Sequence, residues 1–458
     1  MNKEKNLEVF RSAPVPQAIM KNALPAMAAM LMVLIYNLAD MFFIGQTHNA
    51  LMVAAVSLAT PIFLLFMSIG TMFGIGGTSV ISRALGEGRT EYAKKVCSFC
   101  MWGCVAAGVG LSVIFLIFMN PLLRAIGASE ETWHFTKTYL TIVVCAGPLS
   151  VLANCFSCIL RAEGEANKAM IGQLGGNLIN VILDPLFILA FNWGVAGAAI
   201  ATVIGNAFGA CYYMQYFLRG KSMLSIHPRD FSVKERIPLN VLSIGVPASL
   251  ASLLMSVAQM IVNSFMAGYS DMALAGNGVA MKATMITGMV CIGFGQGIQP
   301  LLGYCVGAGL WDRFRQVMKT SCIIAISISA SLTILCYIFT GPIVRAFVTE
   351  PAAYEYGVTF TRILLTTSFL FGLFYVVSNT LQAMGAALPA FIVNLSRQAL
   401  IYIPSVFILN RLIGMNGLVW AQPVADVLST ILVFFFYFRT VNKMMAAYNN
   451  GTPEKEDI

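Results

Sequence analysis

Of the 458 residues, 58% are apolar and only 10% are charged, and the mean hydropathy is +0.79. A soluble globular chain carries roughly a quarter of its residues charged, so this composition excludes an ordinary soluble enzyme and points to an all-α polytopic membrane protein. The net charge of +8 does not indicate a nucleic-acid partner, because the basic residues recur on one side of the predicted spans instead of gathering in a patch.

Twelve apolar stretches are long enough to cross a hydrocarbon core, which takes about 20 helical residues. They are predicted at residues 16–45, 52–82, 95–120, 134–160, 168–191, 194–218, 238–268, 273–305, 316–341, 354–383, 386–410 and 415–440. The start of the chain is polar and the apolar run after it is too long for a cleavable signal, so the first span is expected to direct insertion. Lys21, Arg83, Arg89, Lys94, Lys95, Arg161, Lys168, Arg219, Lys221, Arg229, Arg313, Arg315, Lys319, Arg439 and Lys443 fall on one side of this topology. Arg124, Lys137, Arg345, Arg362 and Arg411 fall at or near the other. The excess predicts cytoplasmic termini, with membrane lipids as surroundings. The eleven cysteines lie almost all within spans, and Cys97/Cys100 and Cys155/Cys158 have no further ligands nearby, so they are read as small packing residues.

A shift of 221 residues superposes the chain on itself. It brings Phe73-Gly74-Ile75-Gly76 onto Phe294-Gly295-Gln296-Gly297, Pro121 onto Pro342, Arg124 onto Arg345, and Leu160, Ala162 and Gly164 onto Leu381, Ala383 and Gly385. Small adjustments extend it to Pro25 with Pro247 and to Gly194 and Gly197 with Gly414 and Gly417. Each copy has an even number of spans, so the copies share an orientation. Two six-helix lobes related by a pseudo-twofold axis along the membrane normal are therefore expected. The predicted division is an N-lobe over 1–219, a cytoplasmic linker over 220–237, a C-lobe over 238–446 and a cytoplasmic tail over 447–458.

The copies differ in their acids. Asp40 and Asp184 have Val262 or Asn263 and Ser405 as counterparts, which predicts acidic chemistry confined to the N-lobe. A charge at membrane depth costs roughly 2.5–3.5 kcal/mol on insertion scales, so its retention argues for function. Tyr36 and Asp40 share one helical face, Asn177, Asn180 and Asp184 share another, and Thr202 and Asn206 a third. With a rise of about 1.5 Å per residue, Asp184 lies roughly 12 Å and Thr202 roughly 15 Å in from the outer turn near Asn192. Carboxylate, amide and hydroxyl oxygens suit a hard cation such as sodium; a proton needs only a carboxylate whose anion is disfavoured by burial or a like-charged neighbour. An ion site is accordingly expected at Asp40, Asn180, Asp184, Thr202 and Tyr36, as a proton site or as a Na+ site at the first four. Asn177, Asn206, Lys282 and Arg397 are candidate substrate-cavity residues. Glu163 and Glu165 are expected to be solvated in a cytoplasmic turn, and the histidines to lie in loops. Gly220-Lys221-Ser222 lacks the earlier glycine and the strand of a phosphate-binding loop, and no hydrolase set appears, so neither catalysis nor a cofactor is predicted.

Tyr36-Asn37-Leu38-Ala39-Asp40 followed by Phe43-Ile44-Gly45, together with Arg161-Ala162-Glu163-Gly164 and Asn180-Val181-Ile182-Leu183-Asp184-Pro185, resembles the multidrug and toxic compound extrusion (MATE) family, in its bacterial DinF-related, MepA-like branch. The resemblance covers nearly the whole chain. It implies antiport of lipophilic, drug-like cations against protons or sodium ions by a monomer whose lobes alternate access, with an N-lobe ion site at Tyr36, Asp40, Asn180, Asp184 and Thr202. Another branch places acidic ligands in the C-lobe, where the seventh and tenth spans here offer Gln259, Asn263 and Asn379 but no acid. The competing expectations are a lipid-linked saccharide flippase, which would favour a cleft lined by cations such as Lys282 and Arg397, and an uncoupled receptor or channel.

Overall fold

The computed structural model describes residues 3–348 and 350–449, and these form helices joined by short turns, with no strand among the described residues. The expected tail falls almost wholly on 450–458, outside the described residues. Among the described residues ten helices are long and apolar enough to cross a membrane singly, and two bent pairs, each taken as one span, bring the number to twelve. The single ones run Val15–Gly45, Ala50–Gly86, Thr90–Ile117, Ala166–Ala190, Gly194–Leu218, Ile237–Tyr269, Asp271–Gly307, Trp311–Ile338, Ala387–Ile413 and Met415–Tyr448. The fourth span is Glu130–Cys145 bent by 52° onto Gly147–Ala162, and the tenth is Pro351–Ser368 bent by 48° onto Leu370–Ala383. Met119–Ala125 and Thr340–Phe347 form short helices before those bends, at equivalent places in the two copies.

Sequence explains the local breaks. Ser129 opens the fourth span with a capping box, its hydroxyl accepting from Thr132 N–H while Thr132 Oγ1 accepts from Ser129 N–H. Pro148 sits at the start of the second half of that span, where a missing N–H costs nothing. The fifth span ends in Pro185 and widens into a π-turn at Leu186–Ala190, and the eleventh contains a π-turn at Ser396–Leu400. Such wide turns inside helices frequently accompany functional sites.

The chain divides into two compact units, but not at the expected boundaries. One comprises Ala28–Ser249 with the short N-terminal helix Lys3–Arg11, and the other runs from Leu250 onward and includes Ser12–Met27. The first half of the first span thus belongs with the C-terminal repeat, and the start of the seventh with the N-terminal one. Both exchanges rest on the paired glycine runs. Added to Gly297, a Cβ would lie 2.5 Å from Ala23 Cα and 2.8 Å from Asn22 O, and one on Gly293 2.7 Å from Met27 Cα. Gly76, the copy of Gly297, packs in the same way against the Val241 carbonyl. Only a residue without a side chain permits such an approach of two helix backbones. Pro25 and Pro247 each stand two residues before their exchange.

The linker is docked, not free. Ser222, Leu224, Ile226 and Ile237 are buried, Ser98 Oγ donates to His227 O at 2.8 Å, and Phe99 stacks on Phe231. Contrary to the expectation of a solvated turn, Glu163 is 3% exposed and accepts from Ser222 Oγ at 2.6 Å and Met223 N–H at 3.2 Å. His134 stands within a helix and not in a loop. The cysteines are free thiols, most of them buried between helices.

Candidate ion site and a second buried charge

Packing of the fifth and sixth spans sets the geometry of the first unit. A Cβ on Gly205 would lie 2.5 Å from Gly176 O and 3.3 Å from Asn180 Cβ, so the two helices meet backbone to backbone just below the polar residues. That contact brings Asn180 to Thr202. With its amide oriented to satisfy both neighbours, Asn180 donates from Nδ2 to Asp184 Oδ2 at 2.9 Å and accepts through Oδ1 from Thr202 Oγ1 at 3.1 Å. Asp184 is 0% exposed, Asn180 2% and Thr202 5%.

The first span supplies the other half. Asp40 is buried, and the half-buried Tyr36 one turn before it interacts with Thr202, Asp40 and Asp184. The two carboxylates lie near enough to repel each other. Each keeps one buried oxygen, Oδ1 in both cases, without a hydrogen-bond partner among the described residues. Two close, buried carboxylates with unused lone pairs are a proton or cation acceptor, because only added positive charge relieves both the repulsion and the unmet acceptors. All five sequence-predicted ion-site residues are thus brought together. The structure adds one that sequence reasoning missed: Tyr139, buried on the fourth span, lies within electrostatic reach of Asp40, Tyr36 and Asp184. Its only signal is a tyrosine on an apolar face.

Of the expected cavity residues, Asn177 leaves Nδ2 unpartnered among the described residues, whereas Asn206 donates to Ser150 Oγ at 3.0 Å and serves to tie the sixth span to the fourth. Lys282 is exposed and stands 5.6 Å from the Phe347 ring. Arg397 is buried on the π-turn of the eleventh span. Its Nε donates to Asp426 Oδ1 and its Nη1 to the Tyr375 hydroxyl, both at 2.9 Å. Asp426 overturns the expectation that buried acid is confined to the N-terminal repeat. It lies on the twelfth span, 2% exposed, and also accepts from Gln422 Nε2 at 3.0 Å and Thr367 Oγ1 at 3.4 Å. Gln259 Nε2 donates to Asn263 Oδ1 at 3.1 Å, so these seventh-span polars satisfy each other.

Comparison with known proteins bears on what this arrangement belongs to. The MatE family profile matches residues 25–186 and again 247–408, once in each repeat. The chain belongs to the MatE family. It is 30% identical to the multidrug export protein MepA of Staphylococcus haemolyticus (strain JCSC1435) over 96% of this chain and 97% of that one. It is 29% identical to MepA of Staphylococcus aureus (strain MRSA252) over 95% and 96%. The fold is that of a solved multidrug resistance MATE family transporter described in an outward-facing conformation, at a TM-score of 0.92 and 23% identity, covering 96% of this chain and 99% of that one. A second solved structure, MATE in complex with MaL6, has the same TM-score and identity.

Proposed function

We propose that this MatE protein is a secondary active multidrug exporter that expels lipophilic, cationic compounds in exchange for a proton or sodium ion taken up at Asp40 and Asp184. The observation that carries the coupling reading is the pair of buried carboxylates, each with an unpartnered oxygen, in one unit and bracketed by Asn180, Thr202, Tyr36 and Tyr139. Full-length likeness to the MepA exporters supports the substrate class. The ion drives the cycle only by binding one conformation more tightly than the other; charge loading at a site this buried has that property, since the worth of a bound cation depends on how dry its surroundings are. The basic excess supports cytoplasmic termini. A saccharide-lipid flippase gains no support, because Arg397 is neutralised by Asp426 and Lys282 is exposed far along a different helix.

Dye efflux from proteoliposomes under imposed proton or sodium gradients tests the reading. Asp184→Asn and Asp40→Asn are each expected to lower gradient-driven export at least tenfold while leaving substrate binding measurable. Wild-type rates in the Asp184→Asn protein would remove Asp184 from coupling.

A further inference from the structure

The eleventh and twelfth spans are the repeat copies of the fifth and sixth, so the helix pair that builds the ion site in one unit builds the Arg397–Asp426 centre in the other. Gln422 stands where Thr202 stands in the first copy and donates to Asp426 at 3.0 Å. Around the guanidinium, three aromatic rings close in, with centroids at 4.9 Å for Phe371, 4.8 Å for Phe374 and 5.3 Å for Tyr375. Aromatic faces with a desolvated carboxylate at one edge are the chemistry that recognises an organic cation. Stability gives no reason for the arrangement, since apolar residues of similar volume replace a buried ion pair at little cost and often with gain. Arg397 also sits on a π-turn, its helix widened so that Ile401 N–H reaches back to Ser396 O.

We propose that this cage is a cation subsite for substrate, occupied by the tethered guanidinium of Arg397 and taken over by a planar amidinium or guanidinium head group when Arg397 swings out. The inference deepens the reading of the protein as an exporter of lipophilic cations and rests on it. The shape of the cage sets the class: flat, delocalised and able to donate N–H bonds to Asp426 and the Tyr375 hydroxyl, which a quaternary phosphonium is not.

The full-length protein in lipid nanodiscs is titrated with two probes, the fluorescent diamidine diamidinophenylindole and tetraphenylphosphonium. The charge-balanced variant Arg397→Met with Asp426→Asn removes the cage charge without stranding a partner. It is expected to bind the diamidine about tenfold more weakly and the phosphonium as the wild type does. Arg397→Ala, which removes the tethered competitor, is expected to bind the diamidine about tenfold more tightly. Unchanged diamidine affinity in the charge-balanced variant, or an equal loss for both probes, overturns the subsite even if Arg397→Ala does not fold. A wild-type chain that binds neither probe overturns the lipophilic-cation reading itself, and the subsite with it.

Discussion

At the scale of single residues, the acids are distinguished by what they lack. Asp184 receives one hydrogen bond from Asn180 and keeps an oxygen free, whereas Asp426 is met by Arg397, Gln422 and Thr367. A carboxylate paired with a guanidinium is a poorer acceptor for a proton or cation than one left short of donors. Tyr139 lies within electrostatic reach of both Asp40 and Asp184. Tyr139→Phe keeps the ring and its packing and removes one polar group from the chamber. Gradient-driven efflux is expected to fall about three- to tenfold, as the loss of a polar interaction of about 1 kcal/mol would give, with the melting temperature nearly unchanged. The motif Asn180 to Asp184 was legible because a four-residue spacing puts an amide and a carboxylate on one helical face. Asp426 was passed over, although it is an acid inside an apolar run, and its charge partner lies 29 residues and a turn away at Arg397.

At the scale of elements, the turn after the fourth span shows a coupling that local sequence does not disclose. Glu163 lies outside the spans, and burial pushes its carboxyl up to about 7, opposed by hydrogen bonds from Ser222, Tyr216 and Met223 and reinforced by the nearby Glu165. Cys97 and Tyr216 also interact with Glu163. The ordinary value of a glutamate carboxyl is near 4.5, so Glu163 under the docked linker holds its proton more tightly than it would with the linker undocked. Docking is therefore strongest below that value, weakens as pH rises, and levels off above about 7. Once the base-catalysed rise of the intrinsic exchange rate is divided out, hydrogen-exchange protection of the Met223 and Leu224 amides is expected to fall between pH 4.5 and about 7, by up to about tenfold per unit. Glu163→Gln, neutral throughout, is expected to flatten that dependence; an unchanged slope in the variant would place its origin elsewhere. Composition suggested a solvated turn here because Glu163 and Glu165 neighbour Arg161 and Lys168, but the folded linker closes over Glu163.

At the scale of the whole molecule, the internal repeat and the glycine runs act together. Gly76 and Gly297 were legible as matching small residues, and the structure gives them a task, since each seats the beginning of a span that comes from the other half of the chain. Gly297→Val forces side-chain atoms into the backbone at Asn22 and Ala23, which is expected to cost about 1–3 kcal/mol through overpacking. Drug tolerance conferred on a sensitive host is expected to fall steeply while membrane insertion, measured by protein level in the membrane fraction, persists. Equal tolerance would show that the seat of the first span is dispensable.

Hydrophobic run length, the one-sided basic excess and a single 221-residue offset are properties of the linear chain, and from them the sequence determined twelve spans, two copies and the acids of the proposed ion site. The tertiary structure alone decided which unit each half of the first and seventh spans joins, that Tyr139 comes within electrostatic reach of Asp40 and Asp184, and that Arg397 is held by Asp426 within an aromatic cage. The reason is physical: spans are selected residue by residue against lipid, whereas partners across helices depend on how closely backbones approach, and glycines such as Gly176, Gly205 and Gly297 set that distance only once the helices have met.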